Sequence, residues 1–134
     1  MHPNITIFEC TTYQEEQIFW QYLKEYFVRD IHPNEPDYVP CPPDYEQSID
    51  FLREREYDRA RFLIFRQEGQ DVGIAMSIIS EWGDKRHYIM EFCVFPAFRG
   101  DGMGTACARL LIEWGRKLGC RDEYRRPPSP SRDR

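Results

Sequence analysis

Glycine stands at every second position of Gly100-Asp101-Gly102-Met103-Gly104, between an apolar stretch ending at Phe95-Pro96 and an amphipathic one ending near Leu118. No other feature restricts the folding of this chain so tightly. Glycine lets the backbone enter left-handed conformations and lets a ligand approach the main chain with no Cβ in the way. Downstream, Cys107, Leu111, Trp114 and Leu118 recur at steps of four, three and four, which predicts a helix with one apolar face. Arg116 and Lys117 fall in its last turn, and Gly119 follows as its C-cap. The first amides of a helix have no partner within it, and its dipole is positive there. The corner is therefore suited to an anion, phosphate or diphosphate.

The chain before the corner reads as a strand at Asn4–Thr11, with Ile5, Ile7 and Glu9 on one face, and then a helix at Tyr13–Arg29. Ile18, Phe19, Tyr22, Leu23, Tyr26 and Phe27 give that helix an aromatic stripe. Five prolines in His32–Pro43 exclude helix and sheet interiors there. Asp44, with Gln47 three residues on, predicts the start of a second helix at Tyr45–Tyr57. Strands are expected at Arg61–Gln67, Val72–Ser80 and His87–Phe95, the last buried on both faces. Short turns at Glu68–Asp71 and Trp82–Lys85 make the three an antiparallel meander.

With 134 residues, 41% of them hydrophobic, the chain has the size and core of one domain. A net charge of −5 does not point to nucleic acid, and no run is long and apolar enough to span a bilayer. The five cysteines show no paired spacing and the three histidines are scattered, so reduced thiols in a cytoplasmic protein are expected, with no metal site.

The spacing G-x-G-x-G-T fails the dinucleotide fingerprint, and no Gly-Lys-Ser/Thr follows as a P-loop requires. Val94-Phe95-Pro96-Ala97-Phe98-Arg99-Gly100-Asp101-Gly102-Met103-Gly104 instead resembles the acetyl-coenzyme A signature of the GNAT acetyltransferases, V-x-P-x-x-[RQ]-x-x-G-x-[GA], at every fixed position. The preceding order of strand, two helices and three antiparallel strands is also similar to that family. The resemblance implies an α/β (α+β) fold, a mixed and mainly antiparallel sheet flanked by helices. It implies that amides of Arg99, Gly100, Asp101, Gly102, Met103, Gly104 and Thr105 hold a coenzyme A diphosphate. Backbone groups of Cys93, Val94 and Phe95 would hold the pantetheine arm and polarise the acetyl carbonyl.

The activity implied is N-acetyl transfer from acetyl-CoA to an amine of a small molecule or protein, by direct attack. An attacking amine must lose a proton, and Glu91, mid-strand on the face of Cys93 and Phe95, is the candidate general base. Cys93 and Cys107 have apolar neighbours and no adjacent histidine, which favours packing over nucleophilic roles. The resemblance places the loop after the first helix near the acceptor amine, so Tyr22, Tyr26, Glu35 and Asp37 are candidate substrate contacts.

Beyond Cys120 the family continues with a further strand and helix. Here Arg121–Arg134 is rich in Arg, Pro and Ser, a disordered composition. The expectation is a domain at 1–120 incomplete at its C-terminal end, a tail at 121–134, an open strand edge and a tendency to form homodimers. The alternative is a non-catalytic remnant that keeps the fold and weak coenzyme affinity.

Overall fold

The computed structural model describes residues 4–31, 33–35, 58–80 and 85–120. The second helix expected at 45–57, most of the proline-rich loop and the tail at 121–134 lie outside them. The elements are β1 (Ile5–Glu9), α1 (Tyr13–Tyr26) continued by a π-helical turn (Phe27–Ile31), β2 (Asp58–Gln67), β3 (Gln70–Ser80), β4 (His87–Val94), a 3-10 turn (Pro96–Phe98) and α2 (Met103–Lys117). The described sheet has the order β1-β2-β3-β4, and every pairing in it is antiparallel. The β2–β3 turn shrinks to Glu68-Gly69, both at positive φ, so Gln70 pairs directly with Gln67.

Among the described residues, each face of the sheet carries one α-helix. α1 starts at a capping box: the Glu15 amide donates to Thr12 Oγ1 at 3.2 Å, and the Thr12 amide donates to Glu15 Oε1 at 3.0 Å. Phe19, Leu23 and Phe27, a turn apart, pack on Phe62, Ile64, Ile74 and Met76. Full burial of residues such as Phe19 and Leu23 stabilises by roughly 1.5–3 kcal/mol each. Ile18, expected in the stripe, is 46% exposed, because the buried line is narrower than the aromatic content of the helix.

On the other face, α2 buries Met103, Cys107, Leu111 and Gly115 against Leu63, Phe65, Val72, Ala75 and Val94. Near its C-terminal end it rests on His87, whose Nε2 lies 2.8 Å from Ser77 Oγ. A Cβ at Gly115 would meet the His87 ring at 2.5 Å, so the helix approaches this closely only with glycine there. Burial pushes the His87 imidazole down to about 4. The helix ends as expected at Gly119: the Gly119 amide donates to Arg116 O (2.8 Å) and that of Cys120 to Gly115 O (3.0 Å).

β4 departs from simple alternation. Met76 pairs with Glu91 but Ser77 pairs with Ile89, leaving Met90 as an extra residue. Of β4 only His87, Cys93 and Val94 are buried, so the expectation of burial along both faces fails between them.

Candidate functional site

The corner after β4 is built by three consecutive left-handed residues, Gly100 (φ 97°), Asp101 (φ 52°) and Gly102 (φ 77°). They close a turn in which the Met103 amide donates to Gly100 O at 3.1 Å, and the Arg99 amide reaches Pro96 O at 3.3 Å. The amides of Gly100, Gly102, Gly104 and Thr105 find no acceptor among the described residues. Gly102 is the N-cap of α2 and offers no side chain to cap it, and the first turn holds no acidic residue. A Cβ built at Gly100, Gly102 or Gly104 would meet nothing within 4 Å. The protein's own packing therefore does not need these positions to be small. Unpaired donors at the positive end of a helix dipole, with no side chain crowding the glycines, fit a diphosphate.

The end of β4 sorts the three residues expected to touch pantetheine. The Phe95 amide donates to Val72 O (2.9 Å) and the Phe95 carbonyl accepts from Phe98 (2.9 Å), so only its ring remains available. Antiparallel alternation then points the N–H and C=O of Val94 away from β3, toward the outer edge of the strand. No described strand pairs with that edge. Val94 O accepts from Arg99 Nε at 2.7 Å. By the same alternation Cys93 spends its backbone on Ile74. The Cys93 thiol is 4% exposed and raised by desolvation, with Arg99 and Arg29 opposing, and burial lifts Cys107 to about 11. Neither is poised as a thiolate nucleophile.

Glu91 stands opposite Met76, which packs under α1, and so lies on the α1 face with Cys93, half-buried. Tyr88, opposite Ile78, is on the same face. A plain two-residue period from Glu91 would put Ile89 there and turn Tyr88 away; the extra residue at Met90 reverses this. Sequence reasoning missed Tyr88 for that reason.

Tyr22 is held inside the protein. Its hydroxyl donates to Asp71 Oδ2 at 2.6 Å and its ring lies 4.7 Å from that of Phe95. Desolvation, followed by the bond to Asp71, pushes it up to about 12. Arg66 shares Asp71 through a 2.8 Å bond. Tyr22 thus ties α1 to the sheet rather than offering a hydroxyl to substrate. Tyr26 is partly buried beside Phe27, Glu35 is exposed, and Asp37 lies outside the described residues. Among the described residues no cluster of three His, Cys, Asp or Glu could hold a metal, and no helix is long and apolar enough to cross a membrane.

This combination of an antiparallel sheet, a glycine corner and an uncapped helix start has known counterparts. Residues 16–124 match the Acetyltransferase (GNAT) family, and the chain belongs to that family. Solved structures share the fold. A protein described as a transcriptional regulator from Bacillus halodurans C-125 is 19% identical over 96% of this chain and 84% of its own, with a TM-score of 0.61. A GNAT family acetyltransferase from Staphylococcus aureus subsp. aureus USA300_TCH1516 is 13% identical over 98% of this chain and 91% of its own, with a TM-score of 0.59. AAC(6')-Iy, solved with the bisubstrate analog CoA-S-monomethyl-acetylneamine, is 16% identical over 96% of this chain and 82% of its own, with a TM-score of 0.54. No curated protein sequence matches the chain.

Proposed function

We propose that this acetyltransferase moves an acetyl group from acetyl-coenzyme A to an amine of a small molecule or a protein, in the cytoplasm. One observation carries the reading: the amides of Gly100, Gly102, Gly104 and Thr105 have no acceptor among the described residues, at an uncapped helix start where Cβ atoms on the three glycines would meet nothing. The coenzyme diphosphate would lie on Arg99–Thr105, with Asp101 and Met103 shaping the turn. The pantetheine arm would run along the outer edge of β4, where Val94 offers its N–H while its C=O accepts from Arg99. Cys93 and Phe95 would contribute side chains. Complexes of AAC(6')-Iy with coenzyme A and with a coenzyme A analog support this placement by fold.

In this reading the acceptor amine approaches from the α1 face of β4. Glu91 takes the ammonium proton, directly or through water; the amine nitrogen then bonds to the thioester carbonyl carbon, the carbon–sulfur bond breaks, and coenzyme A leaves as a thiolate that takes up the proton the new amide nitrogen sheds. Outward-facing amides of the strand stabilise the oxyanion of the tetrahedral intermediate. Tyr26, Glu35 and Asp37 line the acceptor side, where acidic groups suit a cationic amine.

Release of free thiol from acetyl-coenzyme A, measured across a panel of amines, tests the proposal. Turnover with at least one amine is expected. Coenzyme binding without turnover on any amine would favour the non-catalytic alternative. Glu91→Gln is expected to lower kcat by about a hundredfold or more while coenzyme affinity holds, and unchanged turnover would remove Glu91 from the mechanism.

A further inference from the structure

The end of α1 is tied to the coenzyme corner through one guanidinium. Asp30 lies in the π-helical turn, three residues beyond Phe27 on the line that buries Phe19 and Leu23. Its Oδ2 accepts from Arg99 Nη2 at 2.6 Å, and Arg29 adds bonds of 3.2 and 3.4 Å to the same carboxylate. Arg99 Nε meanwhile holds Val94 O at 2.7 Å. The Nη2 atoms of Arg99 and Arg29 each lie 3.8 Å from Cys93 Sγ. Arg99 therefore spans the end of α1, the end of β4 and the start of the glycine corner.

The Asp30 side chain is 23% exposed and that of Arg99 46%. Burial alone would raise the Asp30 carboxyl, but the bonds from Arg99 and Arg29 outweigh it and hold it below the usual range. So exposed a pair adds little to the stability of the free protein. Its geometric effect is larger: it sets the direction of an outward carbonyl and the path of the chain into Gly100. Losing the pair would let both shift, and the cost would appear in coenzyme affinity rather than in the stability of the free protein.

We propose that Asp30 is a positioning residue for the coenzyme site: through Arg99 it fixes the approach to the corner and the direction of Val94 O. This rests on the coenzyme reading above. The test uses the full chain with Asp30→Asn, Asp30→Glu, Arg99→Gln and the double variant Asp30→Asn/Arg99→Gln. Coenzyme A dissociation constants are measured by calorimetry, with thermal melts of the free proteins alongside. Asp30→Asn is expected to raise Kd about fivefold and to shift the melt by less than about 4 °C. Asp30→Glu should recover most of the affinity. The double variant should bind no worse than Arg99→Gln alone, because both act on one bond.

Three results would overturn the proposal: wild-type affinity in Asp30→Asn, additive losses in the double variant, or a fall in melting point that accounts for the binding loss. Failure of the unsubstituted chain to bind coenzyme A would instead defeat the coenzyme reading, and this proposal with it.

Discussion

The two α-helices among the described residues begin in opposite ways. α1 opens on Thr12 and Glu15, which satisfy its first amides reciprocally, and Thr11 adds its amide to the same carboxylate at 2.8 Å. α2 opens on Gly102, with no side-chain cap, no acid in its first turn and empty space where the Cβ atoms of Gly102 and Gly104 would be. A chain able to build the first start could have built the second the same way. On the proposed reading, the bare start of α2 leaves its donors to a ligand.

That contrast can be attacked at three strengths. The strongest is acid, which acts on the packing beneath α2. His87 falls from 6.5 to about 4 on folding. The sign follows: the unfolded chain takes up a proton below its own pKa while the folded chain refuses it. Stability is therefore whole above pH 6.5 and drains as pH falls toward 4, by up to about 3 kcal/mol. Chemical denaturation as a function of pH should show this slope, and His87→Gln should flatten it. Comparisons of the two helix starts belong above that window.

Next in size is Gly104→Asp. Its Cβ meets no neighbour, and an acid in the first turn suits the dipole, so the melt should rise by the equivalent of about 0.5–1 kcal/mol. The same carboxylate repels a diphosphate, and coenzyme A affinity should fall at least about tenfold. A variant that is more stable and still binds would refute the reserved-donor view. The smallest and opposite effect belongs to Thr12→Ala, which should cost about 1 kcal/mol in a denaturant melt and leave coenzyme affinity within about twofold.

Much of this was legible in the sequence because it is local. The glycine spacing, the stripe of α2 with its cap at Gly119 and the hairpin at Glu68-Gly69 all follow from periods and turn chemistry. What stayed hidden was long-range or involved a single residue. Asp30 and Arg99 are 69 positions apart and Tyr22 and Asp71 are 49 apart, and no period announces such pairs. The aromatic stripe of α1 was visible, but not which of its residues held a hydroxyl engaged elsewhere. The bulge at Met90 left no trace, because apolar residues fall on both faces of this strand and the alternation it interrupts was faint.

That bulge has a bearing on how this strand can change. Upstream of Met90 the strand serves as foundation, with His87 seated on Ser77 and under Gly115; downstream it serves as workbench, with Glu91 and Cys93 turned to the other side. The inserted residue is the gearing between the two. Removing it would rotate one half against the other, stranding either the imidazole or the carboxylate in the wrong layer. The residue count from His87 to Cys93 is therefore pinned, because it sets which layer each side chain enters.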